Sequence, residues 1–514
     1  MDTPPLPAAA TVTRTDGVIA RYRMADDAVE AGATRLPILD SVDVLVCGGG
    51  VAGIAAAVAA ARAGARTLLL ERAGFLGGTA TGAMMALIVI PFDDLAGFPR
   101  EFFQRLSADH GAHRGGRVVP WDTEAYKLTS LEMVLESGAE VLLYTWISDA
   151  IVIDGRVAGV VVENKSGRQA VLAKVTIDAS GDGDVAARAG VACVVGREAD
   201  AAMRPATVMG HFGNIDLRRL KAWIDANPSD VVGDPGRNVF DLDSGIIRVD
   251  GFFSVVERAR KTGLLEPGMP INYLRFSGLV RPENIESGDL ICNSTRIYGV
   301  DGTNARDVTR AEIEGRRQLQ AVLATVRAML PGFERCTLIG TSSYLGVRET
   351  RRIRGRQTLT YEDLQARRRF PDSLAVLASL DYGSAEIHGP DQGSEGSAAD
   401  RWVKDMVLGM TRFEFPAGCM VTDTPGLLVA GRCVSVTHEV DKFTRNMGPA
   451  ALMGQASGVL ATMISRHSNA GWNDLPIGAT QRHLVASGLQ IHLDNAPDHA
   501  KSNPASEETI DADT

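Results

Sequence analysis

The stretch from Val42 to Arg72 constrains this chain more than any other. A short apolar run, Val42 to Cys47, ends in Gly48-Gly49-Gly50, an alanine-rich segment from Val51 to Ala63 follows, and Arg66 to Leu70 reads as a second buried strand. Strand, glycine turn, helix, strand is a βαβ unit, and parallel strands joined this way build a doubly wound α/β sheet. The turn carries Gly48-x-Gly50-x-x-Gly53. Because the chain has 54 glycines in 514 residues, chance alone supplies such a pattern about 0.6 times, so the context decides. The pattern here follows a strand, opens a helix, and is trailed 21 residues after Gly50 by Glu71, where a dinucleotide fold carries its ribose-binding acid. Gly48 permits the tight turn, Gly50 lets the backbone approach a pyrophosphate, and Gly53 lets helix and strand touch. The helix N-terminus, with Ala52 in its first turn, offers amides and a positive dipole to phosphates.

The rest of the chain reads as additions to this unit. Leu131 to Ser137 ends a helix, Val141 to Ile147 reads as a strand, and Ala150 to Val162 as two strands around Asp154-Gly155, a hairpin inserted into the α/β plan. Lys174 to Ile177 is another buried strand, and Val185 to Gly190 starts a helix. Near the end Gly426 to Ala430 returns as a strand and Gly448 to Arg466 as a long helix rich in small residues, so the first domain is discontinuous in sequence. We divide the chain into an N-terminal arm (1–37), a first nucleotide-binding part (38–200), a mixed α+β substrate or cap domain (201–330) that includes a charged helix over Thr309 to Met329, a connecting region (331–415), a second nucleotide-binding part (416–470), and a C-terminal extension (471–514) with a frayed acidic tail from Asp494.

Composition excludes several classes. Lys and Arg number 53 against 63 Asp and Glu, a net charge of −10 with no basic stripe, so nucleic acid is not an expected partner. The six cysteines, Cys47, Cys193, Cys292, Cys336, Cys419 and Cys433, lie far apart with no C-x-x-C. That spacing excludes a disulfide relay, a cysteine-ligated cluster and a cysteine zinc site, and no metal is expected. No apolar window reaches the length of about 20 residues that crosses a bilayer. The N-terminus does not resemble a secretory signal, and the expectation is a cytoplasmic protein with reduced thiols.

Directly after Glu71-Arg72 comes Gly74-Phe75-Leu76-Gly77-Gly78-Thr79-Ala80-Thr81-Gly82, a glycine density that lets backbone lie flat against a large planar ligand. That favours flavin over nicotinamide. At this point the sequence resembles the FAD-dependent oxidoreductases related to the flavoprotein subunits of fumarate reductase and succinate dehydrogenase. The blocks that carry the resemblance are Val46 to Gly53, Leu69 to Arg72, Gly77-Gly78, Ile177 to Asp184, Gly346 to Arg352, Val429 to Cys433, His438-Glu439 and Met453 to Gly458. The resemblance implies FAD, with Trp146 and Ile147 lining the adenine and Asp178, Ala179, Ser180 and Gly181 approaching the nucleotide from the sheet edge. It also implies that Gly431 and Arg432 pass beside the flavin, and that the helix beginning at Met447-Gly448 aims its N-terminus at the pyrimidine end of the ring, where negative charge develops on reduction. Residues 71 to 92 contain no histidine or cysteine, so the FAD is expected to be held without a covalent bond.

If the resemblance holds, the segment from Gly431 to Gly448 skirts the flavin, which makes His438, Glu439 and Arg445 the catalytic candidates. His438 is either a base that takes a proton as hydride leaves the substrate, or a hydrogen-bonding partner of a cofactor carbonyl or of its own loop. Arg445 either clamps a substrate carboxylate or pairs with Glu439 or Asp441. Arg348, Arg351 and Arg352 surround Glu349. We read them as joining domains, compatible at i, i+4 with a solvated face, with Arg348 also a candidate for facing substrate or flavin. His388 precedes a Gly-Pro turn and is a lone histidine, and Asn293-Ser294-Thr295-Arg296 matches the family without a chemical role that the residues reveal. No second G-x-G-x-x-G is present, and the last strand runs into Gly431-Arg432 rather than Gly-Asp. Both point toward direct hydride exchange between a small organic substrate and flavin N5, with electrons leaving to dioxygen or another acceptor. The alternatives are a flavin run in reverse to reduce an activated alkene, and a non-catalytic FAD-binding protein. Substrate, acceptor and oligomeric state stay open at this level.

Overall fold

Strand Ile38–Cys47 begins exposed and ends fully buried, because its last residues, Val44 to Cys47, lie inside a seven-stranded sheet. The computed structural model describes residues 35–89, 95–108, 112, 118–231, 238–381, 409–467 and 472–493, together with the backbone of three short strands between residues 10 and 31. Four strands run parallel in the order Glu140–Leu142, Thr67–Leu70, Ile38–Cys47 and Gly167–Asp178. The last of these is long enough to take two partners on its far side. Its first half pairs antiparallel with Arg156–Asn164, which leads on to Trp146–Ile153, and its second half pairs parallel with Leu427–Val429. The α/β fold, its discontinuity and the inserted hairpin are therefore as the sequence implies.

One expectation is corrected. The run Val141 to Ile147 is not one strand: Glu140–Leu142 closes the parallel sheet and Trp146–Ile153 starts the hairpin. Tyr144 at φ +51° breaks it, and the break lets Tyr144 and Thr145 donate backbone N–H groups to the Ala73 and Glu71 carbonyls. The N-terminal arm carries strands of its own. Ala10–Thr13, Ile19–Met24 and Val29–Ala31 form a three-stranded antiparallel sheet, in keeping with the Thr, Val, Ile and Tyr they contain. His388 and the tail from Asp494 lie outside the described residues.

The helix after the glycine turn, Val51–Arg62, is mostly alanine, the best helix former and the smallest side chain that favours a helix. Its buried face meets the closing helix, Met447–Arg466, and the two run parallel and in step. Gly454 lies against Ala52, Gly458 against Ala56, and the Thr462 hydroxyl donates to the Ala60 carbonyl at 3.3 Å. A Cβ on Gly454 or Gly458 would sit 2.1 or 2.3 Å from the facing carbonyl oxygen, so glycine at both positions is what allows the backbones to touch. Met447 precedes Gly454 by seven residues, so the closing helix starts about 10 Å beyond the start of its neighbour, its positive end pointing the same way.

The second domain has its own core under a six-stranded antiparallel sheet, in the order Val239–Asp241, Ile246–Gly251, Leu274–Leu279, Gly288–Cys292, Gly210–Ile215 and Thr337–Thr341. The sheet extends past residue 330 because Thr337–Thr341 pairs with the free side of Gly210–Ile215. One face, with Ile247, Val249, Phe276, Leu290 and Cys292, packs under the long helix Ala305–Met329 in that core. Alternation puts Arg248, Asp250, Arg275, Ser277 and Ile291 on the other face. Arg248, Asp250 and Ser277 are nonetheless buried, and Ile291 packs against the nucleotide-domain core. The polar face of the cap is therefore turned toward the other domain.

Candidate functional site

The glycine turn is built around close approaches that only glycine permits. Gly48 sits at φ +110°, where an added Cβ would lie 2.5 Å from the Ala179 carbonyl oxygen, and a Cβ on Gly53 would lie 1.8 Å from the Gly48 carbonyl oxygen. Gly50 differs. A Cβ there meets nothing closer than the Gly78 Cα at 3.9 Å, so its missing side chain leaves space rather than relieving a clash. The helix it opens has no side-chain cap and no acid in its first turn, leaving the Ala52 and Gly53 end positive and its amides open to an anion. The second glycine loop runs alongside. Gly50 and Gly77 are bridged, Gly77 N–H donates to the Gly49 carbonyl at 2.9 Å, Gly78 follows at φ +54°, and Thr79 is exposed beside them.

Glu71 stands at the end of the second strand, buried, with Oε2 accepting the Gly49 N–H at 2.7 Å and Oε1 the Ala73 N–H at 2.8 Å. Burial pushes its pKa up, and the backbone donors only partly offset this. Each oxygen keeps a lone pair, which is what two ribose hydroxyls require. Arg72 is exposed, its guanidinium 5.3 Å from the Trp146 ring and 5.5 Å from that of Tyr344. Trp146 is half exposed and Ile147 partly buried beside it. The open space at Gly50, the uncapped helix end and the acid at the strand end fit a dinucleotide without rearrangement.

On the far side of the first strand Ala179 packs against Gly48 and Gly53. Asp178 is fully buried and works on the backbone: it accepts from the N–H and hydroxyl of Ser180 and from the N–H of Ala186, fixing the turn through Gly181. Gly431, at φ +83°, lies against Ala52. The Arg432 side chain turns away from the groove, donating to the Gly181 carbonyl at 2.9 Å, the Val347 carbonyl and the Asp182 carboxylate. Met447 and Gly448 open the closing helix, again with no side-chain cap and no acid in the first turn. Two positive helix ends therefore point the same way, offset by about 10 Å along their axes.

The catalytic candidates separate. His438 is buried, its Nδ1 2.8 Å from Glu349 Oε1. Glu439, the next residue, is exposed. Arg445 reaches Asp441 at 3.8 Å. Glu349 also pairs with Arg352, and its Oε2 accepts the Arg204 N–H at 3.2 Å. The Arg204 side chain meets Asp441 at 3.3 Å and the His438 carbonyl at 2.8 Å. Burial pushes Glu349 up, but the hydrogen bond to His438 and the charges of His438, Arg204 and Arg352 outweigh it and hold the carboxyl below its usual range. Burial, with Glu349 nearby, pushes Asp441 up to about 6 despite Arg204 and Arg445. This buried network ties the start of the cap, the connecting region and the second nucleotide-binding part together. The solvated-face reading of Arg348 and Arg352 is thereby corrected: the segment is extended, and Arg352 is buried on Glu349, Glu198 and the carbonyls of Gly196 and Val436. Arg348 donates to the Pro205 carbonyl. Arg204 and Tyr344 carried no signal in the sequence. Arg204 follows an unpatterned stretch, and the Tyr344 hydroxyl reaches the Gly78 carbonyl at 2.6 Å only through the tertiary fold.

A family model described as FAD dependent oxidoreductase matches residues 43–484. A thiamine thiazole synthase from Aeropyrum pernix is 36% identical over 121 residues, 23% of this chain and 43% of that protein. One from Methanococcus vannielii is 30% identical over 162 residues, 28% of this chain and 57% of that protein. The chain spans about half the length of the curated relatives it matches. Among solved structures, a geranylgeranyl bacteriochlorophyll reductase-like protein from Thermoplasma acidophilum matches at TM-score 0.42 and 13% identity over 87% of this chain and 83% of that one. A flavin-dependent brominase matches at 0.44 and 11% over 87% and 84%.

Proposed function

Because the chain belongs to the FAD dependent oxidoreductase family and FAD is its cofactor, we propose that it oxidises a small organic substrate by hydride transfer to flavin N5, and that dioxygen or another acceptor reoxidises it. Bound FAD supplies the hydride acceptor. Gly48, Gly50, Ala52 and Gly53 hold its pyrophosphate, Glu71 its ribose, and Gly77, Gly78, Thr79 and Gly431 line its path. The observation that carries the reading is the second uncapped helix end at Met447, set about 10 Å beyond the first and pointing the same way. A positive dipole end at that distance from a pyrophosphate site stabilises negative charge at the ring end of an extended FAD. No histidine or cysteine occurs from residue 71 to 92, which supports non-covalent binding.

His438 takes the proton that the substrate loses, and Glu349, 2.8 Å from its Nδ1, orients the ring and stabilises the cation that forms. The test starts with the visible spectrum and the mass of the chromophore released on denaturation. Anaerobic bleaching is then screened with alcohols, amines and saturated acids. Bleaching by one substrate class, slowed in His438→Gln, is the expected result. Protein that holds FAD yet is bleached by no donor and, once reduced, is reoxidised only by activated alkenes would replace this direction with its reverse.

A further inference from the structure

A cavity of about 590 Å³ lies between the closing helix, Met447–Arg466, the far end of Val51–Arg62 and the start of helix Gly97–Ala108. Its mouth is polar and open to water: Arg62 and Glu101 pair there at 2.7 Å, with side chains 46% and 48% exposed. A narrower cavity of about 40 Å³ adjoins it, and the two share Leu95, Ala96, Arg412 and Gln490 as walls. From the closing helix the outer cavity takes Gln455 and Val459, and the inner one Gly448 and Leu452. Steps of four, three and four residues put these on one stripe of a helix, about 16 Å long. The two cavities therefore follow one face of the closing helix from the surface to its first turn.

The chemistry of the walls changes along this path. Beyond Arg412 and Gln490, the side chains around the inner chamber are apolar: Leu95, Val376, Ala378, Leu452 and Leu489. Alternation along strand Ser373–Asp381 sends Ala375 and Leu377 into the core and turns Val376 and Ala378 to the chamber. The walls are also fixed. Val376 N–H donates to the Gln490 carbonyl at 2.8 Å, and Gln455 Oε1 accepts the Phe98 N–H at 2.8 Å. Protein interiors keep few voids larger than a water molecule, whereas this chamber has room for about three. Water needs two to four polar partners to settle in a cavity, and these side chains offer none past the junction. A small, neutral, apolar molecule meets no such cost, and an acceptor as large as ferricyanide or a quinone does not fit.

We propose that this path carries dioxygen from solvent to the reduced cofactor. The proposal rests on the flavin reading, which sets the start of the closing helix at the ring, and it selects dioxygen among the acceptors. Reoxidation moves two electrons and two protons from the reduced cofactor to O₂, which leaves as hydrogen peroxide. Methyl NMR of the FAD-loaded protein under dissolved dioxygen tests the path without turnover. Dioxygen is paramagnetic, so the methyl signals of Leu452, Leu489 and Ala378 should broaden at least about threefold more than those of Val44 and Leu69, which are fully buried in the sheet. Leu452→Phe fills the chamber. It should remove the excess broadening at Leu489 and slow reoxidation of the dithionite-reduced protein by dioxygen at least about tenfold, with reoxidation by ferricyanide within about twofold of the parent. Should Leu452→Phe not fold, Ala378→Leu decides on the same criteria. Broadening no greater than at Val44 and Leu69, or a filled chamber that leaves the dioxygen rate unchanged, overturns the proposal. The chromophore separates the two readings: FAD that ferricyanide reoxidises and dioxygen does not sinks only this inference, and protein that releases no FAD sinks the flavin reading and this path's role with it.

Discussion

Replacing Gly454 by alanine tests whether the approach of two helices, rather than helix propensity, sets the geometry of the flavin groove. The added Cβ would lie 2.1 Å from the Ala52 carbonyl oxygen, 2.8 Å from its carbon and 2.9 Å from its Cα. An ordinary carbon–oxygen contact is about 3.3 Å, so the helices must separate by roughly 1 Å. The neighbour is main chain in the first turn of a buried helix and has no rotamer to yield. Alanine gains about 1 kcal/mol of helix propensity over glycine, but overpacking against backbone costs about 3 kcal/mol or more, the upper end of its usual range. The net expectation is a loss of about 2 kcal/mol in urea unfolding, together with an FAD dissociation constant raised at least about tenfold, because Ala52 belongs to the turn we propose for the pyrophosphate. Gly478→Ala is the control. There a Cβ meets only the end of Arg482 at 3.5 Å, and the same change should be neutral or stabilising by up to about 1 kcal/mol. A Gly454→Ala protein as stable as its parent, with unchanged FAD affinity, would refute the argument.

Gly50→Ala should leave stability within about 0.5 kcal/mol, since its Cβ enters empty space, while weakening FAD at least about tenfold. Fluorescence titration beside a urea curve checks the split, and a change in stability equal to the change in affinity would contradict it. Glu349→Ala strips a buried carboxylate from Arg204, Arg352 and His438 and should cost about 3–5 kcal/mol. A loss below about 1 kcal/mol by denaturant unfolding would show the network to be unimportant. Asp441 is raised to about 6 in the folded chain, so the folded state holds a proton that the unfolded chain has released. The stability due to that proton is complete below the ordinary carboxylate pKa and is lost as pH rises through about 6. Asp441→Asn should therefore gain on its parent between about pH 4 and pH 7, and a difference in urea midpoints that is flat or falls with pH counts against the assignment.

Much of the candidate cofactor site was legible because its chemistry is local. The tight turn at Gly48, the space at Gly50 and the acid at Glu71 fall within one βαβ unit, where spacing along the chain equals position in space. The catalytic candidates were less legible. His438 and Glu439 are neighbours in sequence, yet one is buried on Glu349 and the other exposed. Residues 204, 349 and 441 meet only because three distant segments converge, and no periodicity announces that. Arg348 and Arg352, spaced like a helix face, occupy extended chain, where that spacing has no such meaning.

The sequence by itself determined the nucleotide fold, because close backbone approach demands glycine at particular steps and alanine-rich packing demands a helix beside them. Tertiary structure alone decided which face of the cap looks inward and which buried charges, such as Arg204, Glu349 and Asp441, meet there. Those are properties of strand register and of domain contact, and both arise from residues that are far apart along the chain and close only once it has folded.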